Sequence, residues 1–269
     1  IIESPLTVSV PSLIKSSFIG TTFDKCFKWL TGEQTRILLI DRATGTLRHT
    51  FYTDPFFCFH TINQFEKNDQ VIFDLICYKD GEIVNALVIE EIKKNDPEYL
   101  KVFESYALRF VMPLTAEEKN KNLVTLEGSK AKAILTDDGK VYCTGELLSD
   151  TSCEFPRVNY PKYMGTDYQY FYTSTRDGCI MKTDTIARAD IFWKEENLFS
   201  WEPIYVPSPS PESEDDGVIV AGFLSNQNSN QVGIVILDAK NMKELARAEF
   251  NDLPSEITKS FHGWYVADE

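Results

Sequence analysis

Short apolar runs separated by polar turns recur along the chain. Such runs occur at residues 36–40, 71–78, 131–135, 168–173 and 231–237, and clusters of Asp, Gly, Lys or Asn lie close behind each of them. Apolar runs of this length that end in turn residues are typical of β-hairpins. The pattern predicts an all-β protein, built either from propeller blades or as a large sandwich. The runs share too little sequence for periodicity to give a blade number.

Two stretches depart from this strand pattern. Residues 97–106 begin with Pro97 and carry apolar residues at three- and four-residue spacing, which predicts a helix on the outside of the sheets. Residues 208–217 are acidic and proline-rich, and an apolar run resumes directly at 218–224. We therefore expect an exposed loop at 208–217 and no linker between domains.

Composition narrows the range of functions. The chain has 269 residues, of which 43% are hydrophobic, so it can bury the core of one large β domain or of two smaller ones. Its formal charge of -14 argues against nucleic acid or an anionic membrane as an electrostatic partner. Six dispersed cysteines indicate reduced thiols, and neither a membrane span nor a signal peptide is recognisable. We expect a cytoplasmic protein.

The candidate chemistry rests on two of the three histidines. His60 ends an apolar, aromatic run, and His262 directly follows Phe261 near the other end of the chain. Imidazole is the commonest metal ligand in proteins, but two histidines fall short of the three or four ligands that a site usually has. The residues alone leave two alternatives open: core histidines bonded to backbone carbonyls, or two ligands of one metal.

Two glutamates with apolar neighbours are candidates for supporting such histidines. Glu154 is followed by Phe155 and a proline, and Glu202 lies between a tryptophan and a proline. A carboxylate that binds the second ring nitrogen fixes the tautomer of a ligating histidine. The alternative for each is a glutamate at a strand end that faces water.

Four segments, at 54–75, 153–160, 201–206 and 261–263, resemble the carotenoid cleavage oxygenases in order and separation. The resemblance implies a seven-bladed β-propeller with a few short helices, to which residues 1–269 contribute the C-terminal part of one domain. Four histidines hold one iron(II) in that family. His60 and His262 match the third and fourth, which implies that an upstream segment supplies the other two. Glu154 is expected to support His60, and Glu202 to support His262.

The resemblance also implies an activity. In that family dioxygen cleaves a carotenoid double bond, here of β-carotene or a xanthophyll, to retinal-type aldehydes, with or without trans/cis isomerisation. No catalytic side chain beyond the metal centre is predicted. Phe59, Tyr78 and Phe155 are the candidates for lining the apolar substrate tunnel. The ending at 261–265 is most like that of insect members.

Further expectations follow from the same resemblance. We expect peripheral contact with a membrane at most, because such enzymes take up lipid-borne substrates. His49 matches no family ligand and is expected at the surface. Two other functions stay open: a retinoid isomerohydrolase of the same fold, and a propeller that binds carotenoids or other partners without catalysis.

Overall fold

Strands dominate the computed structural model, which describes residues 1–19, 26–94, 96–228, 230–251, 253–255, 257–258 and 260–266. Within these ranges the strands are β1 (Ile2–Glu3), β2 (Leu6–Val8), β3 (Phe27–Trp29), β4 (Thr35–Ile40), β5 (Leu47–Thr53), β6 (Thr61–Lys67), β7 (Gln70–Tyr78), β8 (Ser105–Pro113), β9 (Lys132–Leu135), β10 (Val141–Thr144), β11 (Glu146–Leu147), β12 (Cys153–Arg157), β13 (Tyr170–Thr175), β14 (Ile180–Asp184), β15 (Ala189–Trp193), β16 (Leu198–Pro207), β17 (Gly217–Ser225), β18 (Val232–Asp238) and β19 (Glu244–Phe250).

The helices are short. They are α1 (Val10–Ile19), α2 (Glu82–Ala86), α3 (Ile89–Ile92), α4 (Pro97–Leu100), which continues into a 3₁₀ turn at Lys101–Phe103, and α5 (Tyr160–Tyr163). In the part of the chain that the structure describes, no helix is long and apolar enough to cross a membrane.

The first of two compact units comprises Ile1–Phe59, Lys67–Phe73 and Cys77–Glu146. It contains a five-stranded sheet of order β1-β4-β5-β10-β9 and a two-stranded ribbon of β2 and β3. β4 forms a hairpin with β5, and β9 forms one with β10, whereas β5 and β10 run parallel.

The second unit comprises His60–Glu66, Asp74–Ile76 and Leu147–Glu269. It contains two four-stranded sheets, β12-β13-β14-β15 and β16-β17-β18-β19, whose neighbouring strands are consecutive in the chain and antiparallel. Such an up-and-down sheet is the form of a propeller blade. Buried side chains of both sheets form one hydrophobic cluster, which includes Tyr172, Tyr205 and Phe223. That residues 1–269 belong to a single domain stays a prediction.

Strand β7 lies in a further sheet of order β11-β8-β7-β6, and all nine of its residues are buried. Its two polar members have specific partners. Gln70 donates to the carbonyl of Leu123 at 3.0 Å and accepts the N–H of Thr125 at 3.2 Å, while Asp74 accepts the hydroxyl of Tyr168 at 2.6 Å. Buried polar groups need such bonds, because an unpaired one costs free energy.

Four predicted hairpins are present, and one prediction is wrong. The runs at 36–40, 131–135, 168–173 and 231–237 give the hairpins β4/β5, β9/β10, β13/β14 and β18/β19. The run at 71–78 is strand β7, but helix α2 follows it. Asp80 accepts the N–H of Glu82 at 3.0 Å at the start of that helix, and Ile83 and Ala86 bury its inner face.

The helix predicted over 97–106 is shorter than expected. Asp96 caps its start by accepting the N–H of Glu98 at 3.0 Å, but the 3₁₀ turn ends at Phe103. Ser105 and Tyr106 instead begin β8. The local spacing of apolar residues therefore predicts the start of the helix correctly. The helix ends early because the chain enters strand β8.

Residues 208–216 connect β16 to β17 as a loop, close to the prediction of 208–217, but the loop is not simply exposed. The half-buried carboxylate of Glu214 accepts the N–H groups of Gln169 and Tyr170 at 2.9 Å and 2.7 Å. The hydroxyl of Tyr205 donates to the Glu214 carbonyl at 3.0 Å. The acidic loop is thus fastened to both four-stranded sheets of the second unit.

The hydrophobic cluster of the second unit gives a stability prediction. Phe223 is fully buried, so Phe223→Ala is expected to lower the free energy of unfolding by about 3–5 kcal/mol. Phe250→Ala is the matched control, because Phe250 is half exposed on β19 and its loss should cost less than about 1 kcal/mol. Urea unfolding followed by tryptophan fluorescence measures both, and equal losses would contradict the assignment of this core.

Candidate metal centre

The structure brings His60 and His262 together. Their ring centroids lie 5.3 Å apart, with an angle of 75° between the ring planes. His60 directly precedes β6, and its carbonyl accepts the N–H of Ile76 at 3.0 Å. His262 lies in the irregular segment 260–266, beyond the last strand. Both belong to the second unit.

Each imidazole is bonded to a glutamate through Nδ1. His60 Nδ1 donates to Glu154 Oε2 at 2.6 Å, and His262 Nδ1 donates to Glu202 Oε1 at 2.8 Å. These are the two pairs expected from the sequence. A proton on Nδ1 leaves the lone pair on Nε2, which is the tautomer that a ligating histidine needs. That the four residues serve a metal stays a prediction at this point.

Glu154 also affects the protonation of His60. The hydrogen bond from the imidazole to this carboxylate raises the pKa of His60 above its ordinary value, against the opposing effect of burial. The side chain of Glu154 is mostly buried and also accepts the N–H of Phe155 at 2.7 Å. The carboxylate therefore has a fixed orientation toward the ring.

Both glutamates lie at β-bulges. The register of β12 shifts by one residue between Glu154 and Arg157, and that of β16 shifts between Ser200 and Pro203. At each shift, two residues of the strand face a single residue of the neighbouring strand. Glu202 is one of these residues in β16, whereas Glu154 directly precedes the bulge of β12 and is paired with Ser174. Bulges change the direction of side chains within a strand. Pro156, which has no N–H, lies in the bulge of β12 and suits the interrupted ladder there, and Pro203 directly follows the bulge of β16.

Phe155 holds an unusual backbone conformation beside the histidines. Its φ of 56° lies in the left-handed region, which is strained for a bulky side chain. The phenyl ring centroid lies 5.4 Å from that of His60 and 5.7 Å from that of His262. Phe155 thus packs against both imidazoles, and its role as a substrate contact stays a prediction.

Arg157 is a contact that the sequence did not single out. Its Nη2 donates to Glu202 Oε1 at 2.8 Å and to the carbonyl of Gly263 at 3.0 Å. The guanidinium lies 5.7 Å from the ring centroids of both Tyr160 and Trp264. The available signal was a basic residue three positions after Glu154 in a strongly acidic chain.

The histidines face an open cavity of about 470 Å³. Its walls include apolar or aromatic side chains from Pro156, Tyr160 and Trp264, together with the guanidinium of Arg157. A site of this kind combines apolar walls with a few convergent polar groups, as ligand sites commonly do.

The remaining predicted residues lie in the first unit. Phe59 and Tyr78 contact each other edge to face, with centroids 5.5 Å apart. Tyr78 also lines a separate cavity of about 730 Å³ with Phe56 and Phe110. Their role as substrate contacts stays a prediction.

His49, expected at the surface, is half-buried on β5 against Phe51, because that face of the sheet is partly covered.

Among the residues that the structure describes, no group of three or more His, Cys, Asp and Glu side chains could hold a metal ion. That the histidine pair is part of a larger ligand set stays a prediction. Fold and site together define an all-β protein of blade-like sheets with two carboxylate-supported imidazoles.

Comparison with known proteins gives the family. The sequence model of the RPE65 family, described as retinal pigment epithelial membrane protein, matches residues 1–267. The chain belongs to this family, which includes the carotenoid oxygenases, and the predicted recognition is confirmed.

Curated relatives agree with this assignment. The chain is 33% identical to carotenoid isomerooxygenase of Drosophila melanogaster, over 99% of this chain and 55% of that protein. It is 33% identical to the mitochondrial carotenoid-cleaving dioxygenase of Mustela putorius furo, over 98% of this chain and 52% of that protein. It is 31% identical to β,β-carotene 15,15'-dioxygenase of Mus musculus, over 99% of this chain and 48% of that protein. The chain spans about half the length of the curated relatives it matches.

Solved structures confirm the propeller fold. A crystal structure of an ACO/RPE65 chimera matches 95% of this chain and 49% of its own, with a TM-score of 0.70 and 20% identity. The structure of cobalt-substituted Synechocystis ACO, an apocarotenoid oxygenase, also matches 95% of this chain and 49% of its own, with a TM-score of 0.68 and 21% identity. Of the two architectures left open by the hairpin pattern, the propeller is correct.

The Glu154 contact predicts how His60 titrates in metal-free protein. Glu154→Gln removes the charged partner that raises the pKa of His60, so that pKa should fall toward its ordinary value. Imidazole signals followed by NMR across a pH series measure the change. Glu66→Gln, at an exposed position of β6, is the matched control and should leave the His60 titration unchanged. An unaltered titration in Glu154→Gln would refute the contact.

Proposed function

We propose that this chain forms part of an iron(II)-dependent oxygenase that cleaves a carotenoid double bond with dioxygen to give retinal-type aldehydes. The observation that carries the proposal is the pair of imidazoles whose ring centroids lie 5.3 Å apart, each bonded through Nδ1 to a glutamate. Family membership and the names of the relatives support the same reaction class.

The spacing of the two rings suits a shared metal. Two imidazoles that bind one ion at about 2.1 Å each place their ring centroids roughly 4.5–5.5 Å apart. The carboxylates fix the tautomer in which Nε2 is the ligating nitrogen, and they increase the basicity of the imidazoles. We assign His60 and His262 as ligands, with Glu154 and Glu202 as their supports.

The identity of the ion and the rest of its ligands belong to the proposal. Imidazole suits zinc, copper, nickel and iron alike, so iron(II) is chosen from the family resemblance. When bound, it supplies the dioxygen chemistry of the reaction. Two further histidines, from an upstream segment of the natural protein, are proposed to complete the ligand set.

The side chains around the site suit a long, apolar substrate. Phe155 packs on both imidazoles, and Pro156, Tyr160 and Trp264 contribute to the cavity walls. An apolar surround keeps water away from the reacting double bond and strengthens the hydrogen bonds that hold the histidines. We propose that Phe155, together with Phe59 and Tyr78, contacts β-carotene or a xanthophyll.

Product analysis separates the proposed reaction from its relatives. Aldehyde products that retain the trans geometry indicate cleavage alone, and cis products indicate cleavage with isomerisation. Release of a retinoid alcohol from a retinyl ester would indicate an isomerohydrolase. A protein that binds carotenoid without turnover would be a binding module.

Removing either histidine tests the centre. His60→Ala and His262→Ala, made in the natural full-length protein, should each lower bound iron and carotenoid cleavage by about 100-fold or more, because each removes a ligand that carboxylate support alone cannot replace. Metal analysis and chromatography of the aldehyde products measure both effects. His49→Ala is the matched control and should change neither. Iron content that is the same in all three variants would refute the assignment.

The proposal includes a cytoplasmic protein with peripheral membrane contact. Helix α1 presents Val10, Ile14 and Phe18 on one face, and these side chains are 60%, 53% and 86% exposed. Exposed apolar patches commonly mark interaction surfaces, and an amphipathic helix can lie in a lipid interface. The strongly acidic chain favours contact with uncharged lipid by this apolar face.

Vesicle binding tests the face of α1. Replacing Val10, Ile14 and Phe18 together by Ser should weaken binding to phosphatidylcholine vesicles by at least about tenfold, since each apolar side chain that enters lipid contributes of the order of 1 kcal/mol or more. A matched triple replaces the exposed Ile186, Leu245 and Phe250 by Ser and should bind as the original protein does. Vesicle flotation gives the bound fraction. Equal binding by both triples would remove α1 from the proposal.

A further inference from the structure

The two histidines are held in different ways. His60 adjoins β6, and its backbone carbonyl is bonded to β7. His262 lies in the irregular segment 260–266, and its side chain is 55% exposed. Backbone pairing within a sheet therefore fixes His60, whereas the position of His262 depends on side-chain contacts to its segment.

Glu202 supplies part of that attachment. Its carboxylate accepts the Nδ1–H of His262 at 2.8 Å and the backbone N–H of Gly263 at 2.7 Å. The Glu202 side chain is only 3% exposed. A carboxylate this deeply buried needs a compensating charge, because burial of an uncompensated charge is costly.

Arg157 supplies the charge and a second attachment. Its Nη2 donates both to Glu202 Oε1 and to the Gly263 carbonyl, and its side chain is 13% exposed. The guanidinium also lies over the rings of Tyr160 and Trp264. One cation thus connects β12, β16, α5 and the segment that carries His262.

We propose that Arg157 is a positioning residue for His262. It holds Glu202 in the orientation that accepts the imidazole proton, and it holds the segment at Gly263 and Trp264. The planar guanidinium reaches carboxylate, carbonyl and aromatic faces at once, which a lysine ammonium cannot do. The role of Arg157 at a metal centre rests on the proposed function. Its contacts with Glu202 and with the carbonyl of Gly263 do not require a bound metal.

The experiment compares Arg157→Met, Arg157→Lys and the original residue in the natural full-length protein. In metal-free protein, amide exchange of a peptide covering 260–266 is followed by mass spectrometry. Arg157→Met should speed exchange of this peptide by about tenfold or more, since the charged contact that holds Glu202, the acceptor of the Gly263 N–H, is lost. Arg157→Lys should restore part of the protection. Arg36→Met, which removes the exposed pair of Arg36 with Glu3 at 2.7 Å, is the matched control and should leave exchange unchanged.

Cobalt(II) binding gives the second readout. The visible absorption of bound cobalt is titrated, and Arg157→Met should weaken binding by about 10- to 100-fold, with Arg157→Lys between it and the original protein. The melting temperature is measured in parallel. Weaker cobalt binding with faster exchange confined to 260–266 supports positioning.

Two results overturn the proposal. Unchanged exchange at 260–266 in Arg157→Met shows that the contact does not hold the segment. Faster exchange throughout both four-stranded sheets, with a matching fall in melting temperature, shows a general structural role. If the original protein binds neither cobalt nor iron, the proposed metal function fails, while the exchange measurement still decides whether Arg157 holds the His262 segment.

Discussion

The candidate site depends on one kind of contact, the hydrogen bond from an imidazole Nδ1 to a largely buried carboxylate. This bond determines the tautomer, the rotation of the ring and the direction in which Nε2 presents its lone pair. It is made twice, at 2.6 Å for His60 and Glu154 and at 2.8 Å for His262 and Glu202. Burial strengthens both bonds and makes an unpaired carboxylate costly, so the arrangement is stable only when all its members are present.

The propeller fold places these carboxylates by repeating one local device. β12 and β16 are the first strands of consecutive four-stranded sheets. Glu154 directly precedes the bulge of β12, and Glu202 lies within the bulge of β16. The bulge of β12 requires the left-handed φ of Phe155, which costs about 1–3 kcal/mol. In β17, Gly222 leaves room for the indole of Trp201, which lies where a Cβ at Gly222 would be. Regular pairing of β13 with β14 and of β17 with β18 holds the irregular positions in place.

The sequence predicts what depends on local pattern. Apolar runs ending in turn residues located four hairpins, whereas the pairing of His60 with Glu154 and of His262 with Glu202 came from the resemblance to the carotenoid cleavage oxygenases. Local pattern alone does not predict contacts between residues far apart in the chain. Arg157 meets Glu202 and Gly263 across 45 and 106 residues, and nothing near Arg157 in sequence indicates these partners. The anchoring of the acidic loop by Glu214 was missed for the same reason, since its partners lie 45 and 44 residues away.

The two imidazoles are therefore chemically unequal, although their carboxylate bonds look alike. Glu202 shares its charge with Arg157, whose guanidinium draws electron density away from the oxygen that accepts the His262 proton. Hydrogen bonds to His60 and Phe155 converge on a single oxygen of Glu154, and that carboxylate raises the pKa of His60. His60, whose carbonyl is bonded to β7, is accordingly the more firmly placed imidazole. His262, held by side chains in an exposed segment, is the imidazole whose position the surrounding residues can adjust.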